Sequence, residues 1–311
     1  MIKNYVSNNE FGIYIEESSG NILRNNTIND NTCNFGVNSW PPSWRSPLSE
    51  FIHDIDNSNT VNGKPIIYWI NHQNEEIPAD AGFVGIVNST NITVQNLCMK
   101  NNSQGILLAY SNNCLLENNT ILNKCWELKD IQRDYVIGIQ ISGGSGNIVI
   151  RNNVTNSGHG IVTSHLSVNN TLDDNNIISS RFNSINIFYS DNNTLTCNKI
   201  INSGDCGIKI SGSDYNVISG NSIIDSNNGV MLRYSSKNTL YHNNFINNTK
   251  QAVLEEAYNN TWQNDYPSGG NYWSDYTGVD KFSGPYQNKT KSDGIGDASY
   301  IIGVNNTDRY P

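Results

Sequence analysis

Aspartates and glycines alternate near the C-terminal end of the chain, in the sequence SDGIGDASY. Asp293 and Asp297 flank two glycines there, so the backbone can curl and present carbonyl oxygens beside carboxylates. This combination suits Ca²⁺, which takes about six to eight oxygen ligands. Three further aspartates could complete the shell, and the predicted metal-binding residues are Asp275, Asp280, Asp293, Asp297 and Asp308. The alternative is a turn-rich cap held by the packing of Trp273, Tyr276 and Tyr300.

A second group of ionisable residues lies between residues 50 and 72. Lyase or epimerase chemistry at C5 of a sugar needs a base and a cation that stabilises the enolate. The candidates for these roles are His53, Asp54, Asp56, Lys64 and His72, although we assign no residue as catalytic. Aromatic rings suited to stacking on sugars lie nearby, and the predicted carbohydrate-binding residues are Trp40, Trp44, Tyr68 and Trp69. Alternatively, these apolar side chains close the flank of the fold and the acids face water.

The elements that position these residues follow from the composition and from a repeat. Asparagine accounts for 55 of the 311 residues, and asparagine and glycine favour tight turns over strand and helix interiors. Only 15% of the residues are charged, and the net charge is -9. An acidic chain without clusters of Lys and Arg argues against nucleic acid as a partner. No stretch of 18 apolar residues exists, so the sequence encodes no transmembrane segment.

An internal repeat of about 23 residues is carried by the pattern aliphatic-x-x-Asn-x-aliphatic. The asparagines of this pattern are Asn96, Asn119, Asn152, Asn175, Asn198, Asn221 and Asn243. Glycine followed by alternating apolar residues recurs with the same spacing, as in Gly138-Ile-Gln-Ile and Gly207-Ile-Lys-Ile. Alternation with a period of two is typical of short strands, and stacking such units buries one continuous aliphatic column. The repeat predicts an all-β, right-handed parallel β-helix with its asparagines turned inward at the corners, where their amides bond from coil to coil.

The regularity of the repeat divides the chain into four predicted segments. Residues 1–39 hold the first coils, and we expect a further segment upstream because an exposed first coil would be an unpaired edge. Residues 40–80 form an irregular insertion, which begins with a proline-rich stretch. Residues 81–265 form the regular solenoid, and residues 266–311, rich in Tyr, Trp, Gly and Asp, form a C-terminal cap. The six cysteines contain no CxxC, and we interpret Cys98 and Cys197 as small buried side chains.

The repeats SGNIVIRNN, SVNNTLDDNNI and SSKNTLYHNNF resemble NosD-like proteins of the carbohydrate-binding and sugar-hydrolase β-helix superfamily, which is pectin-lyase-like in fold. The segments HDIDNSNTVNGKPIIYW and GGNYWSDYTGVDKFSG resemble those of cell-surface NosD-like proteins of methanogenic archaea. The resemblance implies an extracellular or cell-surface location and further domains in a longer protein. It does not imply one activity, because relatives include lyases, epimerases and non-catalytic envelope proteins.

The family name suggests copper, and two short motifs suggest hydrolase chemistry. Copper sites favour His, Met and Cys at close spacing, and the chain has no HxH or MxxM, so we do not expect copper. The sequence SGHG around His159 and the pair Asp173-Asp174 look like pieces of polygalacturonase-type hydrolases. They stand in the reverse order here, and both fall at variable positions of the repeat. We therefore do not assign glycosidase chemistry to them.

The sequence favours an exported, non-catalytic β-helix domain whose partner is a polysaccharide or another glycan of the cell envelope. The alternative is a polysaccharide lyase, epimerase or glycoside hydrolase that acts in a groove beside the 40–80 insertion. A third possibility is an architectural spacer. An enzyme should bring ionisable groups together in a groove, a binding domain should show an exposed aromatic platform, and a spacer should show neither.

Overall fold

The computed structural model describes residues 1–38, 47–123 and 136–311. Trp40 and Trp44 therefore lie outside the described residues. The described chain is built from short strands and one 3₁₀ helix at Leu48–Phe51. None of its helices is long and apolar enough to cross a membrane, as far as the described ranges extend.

Three small coils begin the chain. Their strands are β1 (Tyr5–Val6), β2 (Phe11–Glu16), β3 (Ile22–Leu23), β4 (Thr27–Ile28), β5 (Cys33–Asn38), β6 (Asp54–Ile55) and β7 (Thr60–Val61). Equivalent strands of successive coils pair in parallel, β1 with β4, β4 with β7, β2 with β5, and β3 with β6. We refer to this part of the chain as the N-terminal coils.

The regular solenoid has three parallel sheets that run along its axis. The long-strand sheet contains β8 (Lys64–Ile70), β9 (Phe83–Val87), β12 (Gln104–Ala109), β15 (Ile137–Ser142), β18 (His159–Ser164), β21 (Ile185–Phe188), β24 (Cys206–Ser211), β27 (Asn228–Arg233) and β30 (Lys250–Glu255). The second sheet contains β10 (Thr93–Gln95), β13 (Leu115–Glu117), β16 (Ile148–Ile150), β19 (Thr171–Asp173), β22 (Thr194–Thr196), β25 (Val217–Ser219) and β28 (Thr239–Tyr241). The third sheet contains β11 (Cys98–Lys100), β14 (Thr120–Leu122), β17 (Asn153–Thr155), β20 (Asn176–Ile178), β23 (Lys199–Ile201), β26 (Ser222–Ile224), β29 (Asn244–Ile246) and β31 (Tyr272–Trp273). The predicted right-handed parallel β-helix is confirmed by this topology.

The interior of the solenoid is a single aliphatic column. In the long-strand sheet, alternate residues point inward, and Ile139 lies between Ile106 and Ile161 in register. The short strands each contribute one inward residue, such as Leu172 and Ile177, and both are fully buried. Strands of three residues cannot fold alone, so each coil is stable only because its neighbours bury its single apolar face.

Asparagine amides mark the corner between the second and third sheets in the coils from Asn119 onward. The Nδ2 of Asn152 donates to Oδ1 of Asn175 at 3.0 Å, and the same bond joins Asn175 to Asn198 and Asn198 to Asn221, both at 2.9 Å. The predicted vertical row is confirmed. It begins at Asn119 and ends at Asn271, whose Oδ1 accepts a hydrogen bond from Nδ2 of Asn243 at 2.9 Å.

Two details of the asparagine rows differ from the sequence prediction. Asn96 is exposed and is not part of the row. The position of the row in this coil is taken by Leu97, whose backbone N–H donates to Oδ1 of Asn119. A second buried row, which the sequence analysis missed, lies at the corner between the long-strand and second sheets. Its members are Asn147, Asn170, Asn193, Asn216, Asn238 and Asn260.

The recurring glycines stand where a long strand begins and its backbone approaches the core. A Cβ added at Gly160 would lie 2.4 Å from the carbonyl oxygen of Ser184 and 2.5 Å from Cγ2 of Ile177. Contacts this short cannot be relieved by a rotamer change, since one of the two atoms belongs to the backbone of the next coil. The glycine pattern therefore records close packing between coils.

A two-residue hairpin joins the N-terminal coils to the regular solenoid. Asn62 and Gly63 have φ values of 51° and 75°, and β7 pairs with β8 in antiparallel fashion across them. Positive φ at both central residues is the conformation that Asn-Gly favours in such turns. As a result, the N-terminal coils pack on the outside of the long-strand sheet. A second core between them includes Phe35 and Phe83, whose ring centroids lie 4.8 Å apart, and Leu107.

The C-terminal segment closes the end of the aliphatic column with stacked rings. Trp273 stacks on Phe245 at a centroid distance of 4.6 Å, and Tyr300 stacks on Trp273 at 4.4 Å. Asp308 is fully buried below them and accepts hydrogen bonds from Trp273 Nε1 at 2.9 Å and from the backbone N–H of Asn271 at 2.7 Å. Burial raises the pKa of Asp308, and these donors oppose the rise.

We expect that replacing Asn198 by Ala lowers the free energy of unfolding by about 3 kcal/mol. The substitution removes the side-chain bonds to Asn175, Asn221 and the Leu172 carbonyl and leaves buried backbone groups unpaired. Urea unfolding measures the loss, and Asn227→Ala, at an exposed position of the next coil without a positive φ, is the control. Equal stability of the two variants would contradict a structural role for the row.

We expect that replacing Asp308 by Ala lowers the free energy of unfolding by about 2 to 4 kcal/mol, because buried donors of Trp273, Asn271 and Tyr310 lose their acceptor. Thermal unfolding monitored by tryptophan fluorescence measures the change. Asp265→Ala, at an exposed position of the same segment, should leave the transition unchanged. A transition of Asp308→Ala at the wild-type temperature would show that the aspartate does not hold the cap.

Candidate functional site

The ionisable residues predicted near the insertion do not converge on one site. His53 is buried, which lowers its pKa, and its Nδ1 lies 3.4 Å from the backbone nitrogen of Asn21. Asp54 and Asp56 both pair with the guanidinium of Arg24 at the surface. The two remaining candidates, Lys64 and His72, do not take part in these contacts.

Lys64 and His72 have separate local partners. The ammonium of Lys64 donates to the carbonyl of Cys98 at 3.3 Å. His72 lies 3.0 Å from a carboxylate oxygen of Glu75, and its ring stacks on Trp69 at 4.6 Å. Within the described residues, these candidates therefore do not bring a base and a cation together in one groove.

The two described aromatic candidates belong to the packing of the fold. Tyr68 is 8% exposed, and its hydroxyl donates to the carbonyl of Phe51 at 2.6 Å. Burial accordingly raises the pKa of Tyr68 far above the ordinary value for tyrosine. Trp69 packs against the solenoid core and is half-buried, with His72 on one face. Tyr68 leaves no ring face open to a sugar, and Trp69 leaves little.

The aspartates predicted to bind calcium organise the C-terminal segment through backbone N–H groups. Asp280 accepts from the N–H of Gly294 at 2.8 Å, and Asp297 accepts from the N–H groups of Lys281 and Phe282, both at 2.9 Å. Asp293 accepts from the N–H of Gly284 at 3.2 Å. Partial desolvation raises the pKa of Asp293, but the hydrogen bonds from backbone and side-chain donors outweigh this effect and lower the pKa.

The remaining members of the calcium set are also separated. Asp275 accepts from the hydroxyl of Tyr300 at 3.1 Å, and Asp308 lies in the buried cap. Within residues 1–38, 47–123 and 136–311, no three His, Cys, Asp or Glu side chains come together as a metal site would require. Calcium binding by the C-terminal segment stays a prediction.

A groove on the outer face of the long-strand sheet brings polar, aromatic and cationic side chains together. It has a volume of about 360 Å³ and crosses four successive coils. Its lining residues are His159, Asn183, Asn186, Phe188, Tyr189, Lys209, Ser211, Gly212, Arg233 and Tyr234. We refer to it as the outer groove.

Parallel register arranges the outer groove in rows along the solenoid axis. Asn186 lies beside Lys209, and Phe188 lies beside Ser211, which in turn lies beside Arg233. Closer to the N-terminus, the same face is buried at Val162 and covered by the N-terminal coils at Leu107. The groove therefore opens where the covering of the sheet ends.

Three side-chain oxygen atoms in the outer groove are buried without a partner. The Oδ1 atoms of Asn183 and Asn186 and the Oγ of Ser211 have no hydrogen-bond partner, although the residues are only 4%, 6% and 8% exposed. A buried polar atom left unpaired costs about 1 to 3 kcal/mol of stability. Such atoms in a concave surface are typical of sites that a ligand completes.

Aromatic rings form the wall of the outer groove next to these atoms. Phe188 and Tyr189 meet edge to face at 4.4 Å. The ring of Tyr189 lies against Gly212, where an added Cβ would come within 2.5 Å of it. Tyr234 lies one coil beyond Gly212 and two coils beyond Tyr189. It is 54% exposed, and the guanidinium of Arg233 lies 5.2 Å from its ring centroid.

Both cations of the outer groove have acidic partners that do not line it. Lys209 lies 3.6 Å from Asp205, and Arg233 lies 3.0 Å from Glu255 through its Nε atom. The Lys209 side chain keeps 24% of its surface exposed and that of Arg233 keeps 47%. Each cation of the groove is therefore already paired with a carboxylate that stands just outside the lining.

Sequence reasoning missed the outer groove because its residues occupy variable positions of the repeat. Asn186 and Lys209 are the polar residues between two inward isoleucines of their strands, a position that indicates only the outer face. His159 was set aside for the same reason, together with Asp173. The structure places His159 in the long-strand sheet and Asp173 in the second sheet, where it accepts from the hydroxyl of Thr196 at 2.7 Å.

A larger cleft of about 530 Å³ separates the last coils from the cap. Its walls include His242, Tyr272, Tyr276 and Asp280. The Nε2 atom of His242 lies 2.8 Å from the carbonyl of Ser268, and the hydroxyl of Tyr276 donates to the carbonyl of Ala298 at 2.7 Å. None of the side chains lining this cleft has a buried unpaired polar atom in the described ranges, so the outer groove is the stronger candidate.

The cysteines differ from the sequence interpretation. Cys98 and Cys197 are free and exposed. Cys98 follows a turn and Cys197 lies in one, so both are outside the aliphatic column. Cys114 and Cys206 are also free, but they are buried. Burial raises the pKa of the Cys206 thiol to about 12. Cys33 is disulfide-bonded.

We expect acid to weaken the fold through His165, which is buried beside the hydroxyls of Ser142 and Ser164. Burial lowers the pKa of His165 from 6.5 to about 4, so the unfolded chain binds a proton at a higher pH than the folded chain. The free energy of unfolding should fall by up to about 3 kcal/mol as the pH drops from 6.5 to 4. Urea unfolding across this range should show a shallower fall for His165→Gln than for the exposed control His242→Gln. Parallel curves for the two variants would contradict this role.

Comparison with solved structures found chains of low sequence identity. The chain is similar to the periplasmic alginate epimerase AlgG, with 15% identity, 82% of this chain and 74% of that chain covered, and a TM-score of 0.44. It is similar to the Azotobacter vinelandii mannuronan C-5 epimerase AlgE4 A-module, with 14% identity, 81% of this chain and 73% of that chain covered, and a TM-score of 0.42. It is also similar to PfbA, a surface adhesin of Streptococcus pneumoniae, with 11% identity, 85% of each chain covered and a TM-score of 0.40. No curated protein sequence matches the chain.

A family model described as periplasmic copper-binding protein (NosD) matches residues 129–278. The histidines of the described part of this range do not fit a copper site. His159 lines the outer groove, His165 is buried beside two serines, and His242 lies near Ser268 in the cap cleft. We therefore derive no chemistry through copper. The chain is similar to NosD over 150 of its 311 residues, and the described part of that range contains the coils from β15 to β30.

Proposed function

We propose that this chain is an exported β-helix domain that binds polysaccharide in the outer groove without acting on it. The observation that carries the proposal is the pair of buried, unpartnered atoms, Asn186 Oδ1 and Ser211 Oγ, beneath an aromatic wall. Hydroxyl groups of a ligand can satisfy these atoms, and in the free protein the unpaired atoms cost stability.

The chemistry of the outer groove matches that of a sugar ring. Sugars present hydroxyl groups around an apolar ring face, so their sites combine hydrogen-bonding side chains with aromatic surfaces. Asn186 and Ser211 supply the first, and Phe188, Tyr189 and Tyr234 supply the second. The rigid sheet beneath holds these groups in place before the ligand arrives, which lowers the entropy cost of binding.

The arrangement favours binding over catalysis. Glycoside hydrolysis needs two carboxylates that flank the scissile bond, and no Asp or Glu is among the described residues that line the outer groove. A polysaccharide lyase or epimerase is the second candidate, because His159 and Lys209 line the same groove and could act as base and cation. The groove beside residues 40–80, where the sequence placed this alternative, gains no support from the positions of His53, Lys64 and His72.

Several observations support export to the cell surface. Disulfides persist in oxidising compartments, and Cys33 is disulfide-bonded. The matching family is described as periplasmic, as is AlgG, and PfbA is described as a surface adhesin. We propose that the glycan belongs to the cell envelope or its surroundings, that the source is an archaeal surface protein of the kind the sequence resembles, and that further domains accompany this one.

Replacing Ser211 by Ala tests the proposal. Because Ser211 Oγ has no partner in the unliganded protein, the variant should be at least as stable as the wild type. Its affinity for a bound oligosaccharide should fall about tenfold, the value of one hydrogen bond. Isothermal titration calorimetry with alginate, polygalacturonate, xylan and β-glucan oligosaccharides measures the affinity.

Ser219→Ala, on the second sheet, is the matched control and should leave affinity unchanged. Wild-type protein that binds none of these oligosaccharides, or a Ser211→Ala variant with unaltered affinity, would overturn the proposal. Proton NMR of the same mixtures separates the two candidates. Unchanged sugar signals support binding alone, whereas unsaturated or C5-inverted products would establish the lyase or epimerase.

A further inference from the structure

We infer that the open edge of β11 binds one extended strand of a partner protein whose outward side chains are acidic. β11 is the first strand of the third sheet and pairs only with β14 in the described chain. A pocket of about 380 Å³ lies along its free edge, between β11 and the hairpin residues Asn62 and Lys64. We refer to it as the edge pocket. It shares no lining residue with the outer groove, so the inference is independent of the proposed function.

The edge pocket lies where one short coil omits a strand. Ile66 of β8 lies opposite Phe83 of β9, a step of 17 residues, whereas Val84 lies opposite Ile106, a step of 22. The short coil reaches the second sheet through Glu76, which bridges β10. It then returns to β9 with no strand in the third sheet, although every residue of that coil is described. The edge pocket is therefore the place of the omitted strand.

The free edge of β11 presents backbone groups that a neighbouring strand would pair. On the side of β14, the carbonyl of Leu97 and the N–H of Asn101 take part in the ladder. Because alternate residues of a parallel strand bond to opposite sides, the backbone groups of Cys98 and Lys100 face the pocket. Their N–H groups have no acceptor within the described ranges. An edge of this kind is a template for pairing with another chain.

Two side chains stand in for the omitted strand at the carbonyl groups. Nζ of Lys64 donates to the carbonyl of Cys98 at 3.3 Å, and Nδ2 of Asn62 donates to the carbonyl of Lys100 at 3.0 Å. Both are single contacts from side chains that can rotate away, whereas a strand would pair the carbonyls and the N–H groups together. A partner strand can therefore replace them with a net gain of hydrogen bonds.

The charge of the edge pocket favours acidic side chains on the partner. Lys64 and Lys100 both line the pocket, and no carboxylate is among its lining residues. Neither lysine forms an ion pair with a described carboxylate. Residues of a partner strand that lie opposite Cys98 and Lys100 would project outward beside these ammonium groups. Glutamate or aspartate at those two positions would complete two ion pairs, on a chain that is otherwise acidic.

The lining of the edge pocket favours a peptide over a sugar. It includes no aromatic residue on which a sugar ring could stack. Strand addition takes its affinity from main-chain hydrogen bonds and its specificity from alternate side chains, and β11 offers both. Met99, the inward residue of β11, is only 1% exposed, so the interior beside it is already filled. The middle residue of the partner strand should therefore be small.

A blocked heptapeptide, Thr-Val-Glu-Ala-Glu-Val-Thr, tests the strand pairing. In the register of the neighbouring coils its glutamates lie opposite Cys98 and Lys100, and its alanine N–H replaces Lys64 at the Cys98 carbonyl. NMR titration of the wild-type protein should show binding at millimolar peptide. N-methylation of the alanine should weaken binding by about tenfold, because it removes one strand hydrogen bond.

Matched peptides and variants test the charge. Replacing both glutamates of the peptide by lysine should weaken binding by about tenfold, and glutamine at both positions gives the uncharged reference. Lys64→Gln and Lys100→Gln should each weaken binding of the acidic peptide by about threefold, the value of one surface ion pair, and leave the glutamine peptide unchanged. Lys199→Gln, an exposed residue in the outward row that begins at Cys98, is the control and should change neither affinity.

Hydrogen exchange locates the bound peptide. The amide of Lys100 has no acceptor in the free protein, so the acidic peptide should slow its exchange with solvent. The amide of Lys199 already donates to the carbonyl of Asn175 at 2.8 Å and should exchange at the same rate with and without peptide. Slower exchange elsewhere with no change at Lys100 would place the peptide at another site and overturn the inference.

The remaining outcomes decide between occupants. No binding of the acidic peptide, or equal binding of its N-methylated form, would overturn strand pairing at β11. Equal affinity for the acidic and lysine peptides would overturn the acidic class of partner. Analytical ultracentrifugation tests for a second copy of this chain in the edge pocket. A dimer that the acidic peptide dissociates would assign the edge to self-association and overturn a separate partner protein, whereas a monomer that binds the peptide supports one.

Discussion

The hydrogen bond between buried asparagine amides of successive coils is the interaction on which the rest of this structure depends. At each corner the chain leaves one sheet for the next, and its backbone groups cannot all pair with a neighbouring strand. The amide of Asn175 solves this locally, since Nδ2 donates to the carbonyl of Val149 and to Asn198, while Oδ1 accepts from Asn152. Because the bond is made to the equivalent residue of the next coil, it also fixes the register. An asparagine shifted by one position would leave several buried groups unpaired.

Fixed register turns every position of the repeat into a row along the axis. Rows that face inward must be aliphatic and of constant size, because each side chain packs on its equivalents above and below. Rows that face outward have no such constraint, so they are where the chain can vary without losing the fold. The outer groove consists of such rows, and its residues lie about 22 or 23 positions apart in sequence yet one strand spacing apart in space.

A stack of coils has two ends, and the two ends of this solenoid are covered by different structures. At the C-terminal end, Trp273 and Tyr300 continue the column with flat rings, and Asp308 accepts the last donors of the asparagine row. At the other end, the hairpin at Asn62 reverses the chain and lays the N-terminal coils across the outer face of the long-strand sheet. That covering hides Leu107 and the outward residues beside it, and so it determines where along the sheet a ligand can bind.

The sequence by itself determined the fold, because hydrophobic alternation and corner asparagines are local signals repeated many times. Asn152 through Asn221 could be placed in one row before any coordinates were known, and the inward glycines followed the same spacing. It did not reveal the second row at Asn147, since the asparagines there precede a strand of only three residues and look like ordinary turns. The pair Asn62-Gly63 favours a two-residue turn, but only the antiparallel pairing of β7 with β8 shows that the chain reverses there.

Only the tertiary structure decided the candidate site. Tyr68 and Asp308 have the right chemistry for a sugar or a metal in the sequence, but burial against Phe51 and Trp273 commits them to the packing of the fold. Asn186, Ser211 and Arg233 carry no motif, and each became part of a site only because parallel strands bring separate coils together. Composition reports which groups a chain possesses, whereas exposure and proximity are set by which neighbours cover each face, and that is a property of the assembled solenoid.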